Sequence, residues 1–239
     1  MIFYTSPAVW GRGAFSMQDN ELRVLSVQGV RRLPYYLKFL KEMQAKGTAF
    51  VPAISIANSL GIYEVQVRKD LAAVSSSPGK PRVGFSVDGL IADIEHFLGY
   101  DNANLAALVG AGNLGKALLS YGGFAEYGLD IAAAFDTDPA LAGQCIHGCT
   151  VYPMERLAAV CREKNIPIGI ITTPADQAQT ACDKLVAAGI KAIWNFAHVR
   201  LHVPEGVLMQ EENMAVSFAV LSNSLAQSLR EQALRDKQK

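Results

Sequence analysis

No stretch of the 239 residues approaches about 18 consecutive apolar side chains, so the sequence offers no helix able to cross a membrane. The first 27 positions also lack the basic start and apolar run of a secretory signal, and the expected location is the cytoplasm. Cysteine is scarce. Cys145, Cys149, Cys161 and Cys182 are too few to form a disulfide framework in a chain of this size, and are read as reduced thiols. Cys145-Ile-His147-Gly-Cys149 groups three possible ligands, but without a CxxC pair or a second cluster four-coordination is not completed, so no metal is expected. Charged residues make up 18% of the chain and hydrophobic ones 50%, enough apolar material for real cores and too much for a disordered protein.

The net charge of zero hides an asymmetry. From Gln28 to Phe85 there are nine Lys or Arg against three acids, whereas from Ser86 onward there are eleven basic and seventeen acidic residues. One half is net +6 and the other net −6, which argues for two domains with different partners, the basic one suited to a polyanion.

Residues 1–27 show no sustained period and are assigned no role. From Arg31, Leu33, Leu37, Leu40 and Met43 recur at helical spacing until Gly47. Pro52 opens a short second helix closed by Gly61. A third helix over 63–74 is expected to turn Val65, Leu71 and Val74 inward and Gln66, Arg68 and Lys69 outward. Helix, short helix, glycine turn and polar-faced helix form a helix-turn-helix, whose last helix enters the major groove of double-stranded DNA. The turn-rich segment 75–87 reads as a hairpin wing carrying Lys80 and Arg82, the alternative being a solvated linker. Candidate DNA contacts are therefore Tyr63, Gln66, Arg68 and Lys69 on the helix and Lys80 and Arg82 on the wing.

After a bridging helix over 90–98 the pattern changes. Strands at 104–109, 131–135, 168–172 and 192–196 alternate with helices at 154–164 and 175–188, the signature of a doubly wound parallel sheet. The first strand runs into Gly110-Ala111-Gly112-Asn113-Leu114-Gly115, and Asp136 stands at the end of the next, 21 residues after the last glycine. A lone GxGxxG is weak evidence, but a preceding strand, a following helix and a spaced acid complete the dinucleotide fingerprint. Gly110 serves the tight turn, Gly112 the approach of backbone amides to a pyrophosphate, and Gly115 helix packing. Asp136 would accept the ribose hydroxyls and repel a 2′-phosphate, favouring NAD or NADH over their phosphorylated counterparts. Asp138, Thr172-Thr173-Pro174 and Asn195-Phe196-Ala197 fall at strand ends, where open sheets place ligands. Phe196 and Tyr121 offer an apolar pocket for a nicotinamide ring, which favours the neutral reduced form over the cationic oxidised one.

Residues 213–235 form a long helix with Met214, Phe218, Leu221, Leu225 and Leu229 in one stripe. That stripe lies on its own domain or on a second copy of the chain.

Taken in order, Arg32-Leu-Pro-Tyr-Tyr-Leu37, Gln66-Val-Arg-Lys-Asp-Leu71, the glycine loop, Phe135-Asp-Thr-Asp138, Ala188-Gly-Ile-Lys191 and Asn195-Phe-Ala197 resemble the Rex family of redox-sensing transcriptional repressors. The resemblance covers about 28–229. It implies a homodimer that binds operator DNA when NADH is scarce and releases it when NADH binds, with terminal helices exchanged between subunits. It also implies a switch pair, aligned here with Lys38 and Asn213. Family members carry serines where Pro52 and Ala53 stand, and their wing differs from Gly79-Lys-Pro-Arg-Val-Gly-Phe85.

The expected architecture is α/β: an extension at 1–27, a winged-helix DNA-binding domain at 28–87, a Rossmann domain for NADH or NAD at 88–212, and a terminal dimerisation helix at 213–239. The rival is an NAD-dependent dehydrogenase or a CoA-binding enzyme on the same nucleotide fold. Hydride transfer needs a proton-transfer group beside the nicotinamide, and of His96, His147, His198 and His202 only His198 lies near the expected site. No catalytic residue is assigned.

Overall fold

The computed structural model describes residues 25–236 except residue 103, so the expected N-terminal extension lies almost wholly outside the described residues. The chain divides into two compact units that meet between Asn102 and Ala103.

The first unit is built on α1 (Val27–Ala45), capped by Ser26, whose hydroxyl accepts from the Gly29 amide at 3.2 Å. Leu33, Tyr36, Leu37 and Leu40 of α1 are buried against α2 (Ala53–Leu60) and α3 (Glu64–Val74). Gly61, at φ +65°, ends α2 in the left-handed conformation that glycine adopts without strain. Strands β1 (Phe50–Val51) and β2 (Phe85–Ser86) pair antiparallel, and the turn from Lys80 to Gly84 projects beyond them as the expected wing. A side chain at Gly84 would collide with the Val51 carbonyl.

Two features of this unit differ from the sequence-based expectation. The bridging helix α4 (Val87–Leu98) buries Val87, Leu90, Ile91 and Ile94 in the first core, so the division falls at 102/103 rather than 87/88. On α3 Leu71 and Val74 face the core as expected, but Val67 and Asp70 are buried with them, while Val65 is 78% exposed. Burial of Asp70 is made tolerable by partners on α1, which the apolar pattern of α3 alone does not reveal.

The second unit is a seven-stranded sheet in the order β5-β6-β4-β3-β7-β8-β9. Its strands are β3 (Asn104–Val109), β4 (Leu129–Asp136), β5 (Cys145–Ile146), β6 (Cys149–Pro153), β7 (Ile168–Ile171), β8 (Ala192–Asn195) and β9 (Leu208–Glu211). All pairings are parallel except β5 with β6. The strand order reverses at β3 and β7, the position where such sheets open a crevice. Helix α5 (Asn113–Leu119) follows β3, whereas α6 (Leu157–Glu163) and α7 (Ala175–Ala187) flank β7. Alternate residues of β3 serve two cores: Ala107 and Val109 pack with α6 and α7, Ala106 and Leu108 on the opposite face. Helix α8 (Met214–Asp236) leaves Phe218, Leu221, Leu225 and Leu229 exposed. Among the described residues no helix is long and apolar enough to cross a membrane.

Candidate functional site

The carboxyl ends of β3, β4 and β7 surround a cleft of about 470 Å³. Gly110, at φ +101°, turns the chain out of β3, and a Cβ there would lie 2.9 Å from the Thr172 backbone. Three hydrogen bonds from Thr172 hold these loops together: its amide donates to Val109 O at 2.9 Å, and its hydroxyl to Gly110 O at 2.7 Å and Val109 O at 3.1 Å. A Cβ at Gly115 would strike the Gly110 carbonyl, so that glycine is demanded by the fold itself. Gly112 is different. A side chain there would meet no protein atom within 4 Å, although the residue lines the cleft. What a side chain at 112 would obstruct is an occupant of the cleft.

Asp136 closes the cleft from β4. One carboxylate oxygen accepts from the Ala111 amide at 2.6 Å and the other from the Asp138 amide at 2.9 Å, which fixes its plane while leaving acceptor capacity on each oxygen. The exposed Asp138 carboxylate accepts from the Ala140 amide at 2.9 Å. Thr173 Oγ1 is buried without a hydrogen-bond partner on the cleft wall. Such an orphaned hydroxyl fits a site completed by a polar ligand.

Of the predicted cofactor residues, Gly110, Gly112, Asp136, Thr172, Thr173 and Pro174 line this cleft. Ala111 and Gly115 are buried behind it, while Asn113 and Leu114 start α5. Tyr121, Asn195, Phe196 and Ala197 are not brought into it. Asn195 is buried and spends its side chain on a turn, with Nδ2 donating to Val199 O and Oδ1 accepting from the Ala197 amide, both at 2.9 Å. Tyr121, Phe124, Trp194 and Phe196 form a row with successive ring centroids 4.9, 5.8 and 4.9 Å apart. Phe196 and Trp194 pack on the Leu108 face of the sheet, whereas the cleft residues Val109, Met154 and Ala181 belong to the other. Sequence reasoning missed Thr137, Met154 and the α7 residues Asp176, Gln177, Thr180 and Lys184 on the cleft wall. Their spacing along one face of the helix that follows Pro174 was the available signal.

In the first unit, Tyr63 is 87% exposed, and Arg68 and Lys69 are exposed on α3. Arg68 Nη2 lies 2.6 Å from Glu64. A groove of about 490 Å³ brings Arg68 together with Lys80 and Arg82 of the wing. The Lys80 ammonium sits 4.9 Å from the Phe50 ring centroid, and Arg82 adopts φ +63°. Lys69 opens instead onto a second groove, beside Arg32 and Gln66.

Gln66 is tethered. Its amide donates to Asp70 at 2.8 Å, and the same carboxylate accepts from Arg32 Nε at 2.7 Å, Arg32 Nη2 at 2.9 Å and Tyr36 OH at 2.7 Å. Burial pushes the Asp70 carboxyl up, but the hydrogen bonds from Arg32, Tyr36 and Gln66 outweigh it and hold the group below its ordinary range. The same bond to Asp70 raises Arg32, and burial chiefly raises Tyr36. Lys38 is exposed on α1; Asn213 caps α8, accepting from the Ala215 amide at 3.0 Å.

Residues 25–72 match a family model described as a putative DNA-binding protein N-terminus, and residues 101–199 one described as a CoA binding domain. A redox-sensing transcriptional repressor Rex from Treponema denticola is 42% identical over 199 residues, covering 83% of this chain and 94% of that protein. The chain belongs to the Rex family. A Rex repressor from Porphyromonas gingivalis is 41% identical, covering 82% of this chain and 89% of its own length. The Rex-family repressor RSP, solved in complex with beta-NAD+ and operator DNA, superimposes with a TM-score of 0.80 at 31% identity, covering 89% of this chain and 97% of RSP. RSP with beta-NADH gives 0.76, covering 88% and 99%. The Rex relatives are named as repressors rather than enzymes.

Proposed function

We propose that this chain is a dimeric transcriptional repressor that binds operator DNA through α3 and the wing and releases it when NADH occupies the cleft of the second unit. The observation that carries the reading is the pair of unlike glycines. Gly115 answers to packing, while Gly112 has no intramolecular reason to lack a side chain and answers to a ligand. The unpartnered Thr173 hydroxyl and the fixed Asp136 carboxylate supply polar contacts for a pyrophosphate and a ribose. RSP, which shares the fold over nearly its whole length, was solved with both nucleotides and with operator DNA.

A second copy of the chain covers the exposed stripe of α8, and Lys38 and Asn213 take part in coupling cofactor to DNA. Work on operator DNA puts the protein in the cytoplasm. The test is a gel shift on promoter fragments from the source genome with NADH, NAD or neither. A retarded band abolished by NADH and indifferent to equal NAD is expected. Absence of retardation, or retardation indifferent to both nucleotides, overturns the reading.

A further inference from the structure

The inference rests on the DNA-binding role just proposed and concerns what α3 reads. Helix α3 is fixed about its own axis by unusually directional contacts. Val67 and Leu71 are fully buried but would alone permit rolling, since apolar packing is non-directional. The Asp70 carboxylate removes that freedom, because its two oxygens receive four hydrogen bonds from Arg32, Tyr36 and Gln66. With Val67, Asp70 and Leu71 held inward, the turn of about 100° per residue puts Val65 at the centre of the opposite face, between Arg68 and Lys69. Val65 is 78% exposed there, in the N-terminal half of the helix, the part that meets base edges in helix-turn-helix proteins. An apolar side chain flanked by two cations suits a groove walled by phosphates and floored by bases. The apolar group on that floor is the thymine C5-methyl.

We propose that Val65 is a specificity-determining residue that reads thymine, its two methyl groups packing on the C5-methyl in the major groove. Arg32, Tyr36 and Asp70 are positioning residues that hold it outermost. Gln66, its amide committed to Asp70, is part of that support.

The test uses the full chain and duplexes it selects from a random pool. Each thymine of the selected duplex is replaced singly by deoxyuridine, which removes only the C5-methyl. At one or more thymines the parent is expected to bind about fourfold more weakly, as for one methyl withdrawn from apolar contact. Val65→Ser is expected to bind both forms of that position equally, and Val65→Thr, which keeps one methyl, to retain part of the discrimination. The inference fails if every replacement affects parent and Val65→Ser alike, if none has an effect, or if the selected duplexes share no thymine. A pool from which the parent retains nothing overturns the proposed function as well, so the two failures are distinguishable.

Discussion

The carboxylate of Asp136, at the end of β4, accepts a 2.6 Å hydrogen bond from the amide of Ala111, the second residue of the glycine loop after β3. The acid that would meet the ribose and the loop that would meet the pyrophosphate are thus one hydrogen-bonded object. Asp136→Ala is expected to weaken NADH binding roughly tenfold or more, the range for losing hydrogen bonds to a charged group. It should also narrow the preference for NADH over NADPH, since the repelling charge is gone. Fluorescence titration with both nucleotides checks this, and unchanged NADH affinity would count against the ribose assignment.

Gly112→Ala and Gly115→Ala should separate ligand from fold. The first places its methyl in open space and is expected to leave the melting temperature unchanged while reducing NADH affinity. The second drives its methyl into the Gly110 carbonyl and is expected to cost about 1–3 kcal/mol of stability. Thermal denaturation beside NADH titration tells the two apart.

Asp70→Asn leaves the Arg32 guanidinium without its charge partner and is expected to destabilise the first unit by about 3 kcal/mol, as when one member of a largely buried pair is removed. The pH dependence has a definite sign. The folded-state pKa of Asp70 is lowered, so its stabilisation is present above the ordinary carboxylate range and is lost as pH falls through the lowered value. Urea unfolding from neutral to acid pH should therefore decline less steeply for Asp70→Asn than for the parent.

Lys69→Ala should weaken DNA binding and lower the salt slope by about one, as for one lost phosphate contact. Arg68→Ala is expected to weaken binding too, with the melting temperature little changed, because its ion pair with Glu64 is exposed. Equal affinity of both variants and parent, measured over a salt series, would detach α3 from DNA.

Removal of 213–239 takes away Phe218, Leu221, Leu225 and Leu229, all exposed in the single chain. The shortened protein is expected to be monomeric by light scattering and to lose most operator affinity, as two linked half-site contacts become one. A truncated dimer would place the dimer contact elsewhere.

The thiols divide by burial rather than by spacing. Cys145 is exposed at the β5–β6 hairpin, whereas burial pushes Cys149 up to about 11 and also raises Cys161 and Cys182.

Features whose cause is local were readable from the order of residues. Gly110 and Gly61 need positive φ, a buried parallel strand reads as an apolar run, and a helix begins where caps and periodicity coincide, so the helix-turn-helix, the glycine loop and Asp136 were all legible. The β5–β6 hairpin and β9 were not, being short strands at the margins of the sheet with little pattern of their own. On α3 the spacing of Val67, Leu71 and Val74 marks the inward face, and the tertiary structure decided that Asp70 joins it. That burial is made tolerable by Arg32 and Tyr36, more than thirty positions away. The tertiary structure also decided that Asn195 holds a turn and that Phe196 lies on the opposite face of the sheet from the cleft. A strand end says where a residue stops, while alternation along neighbouring strands decides which side it serves.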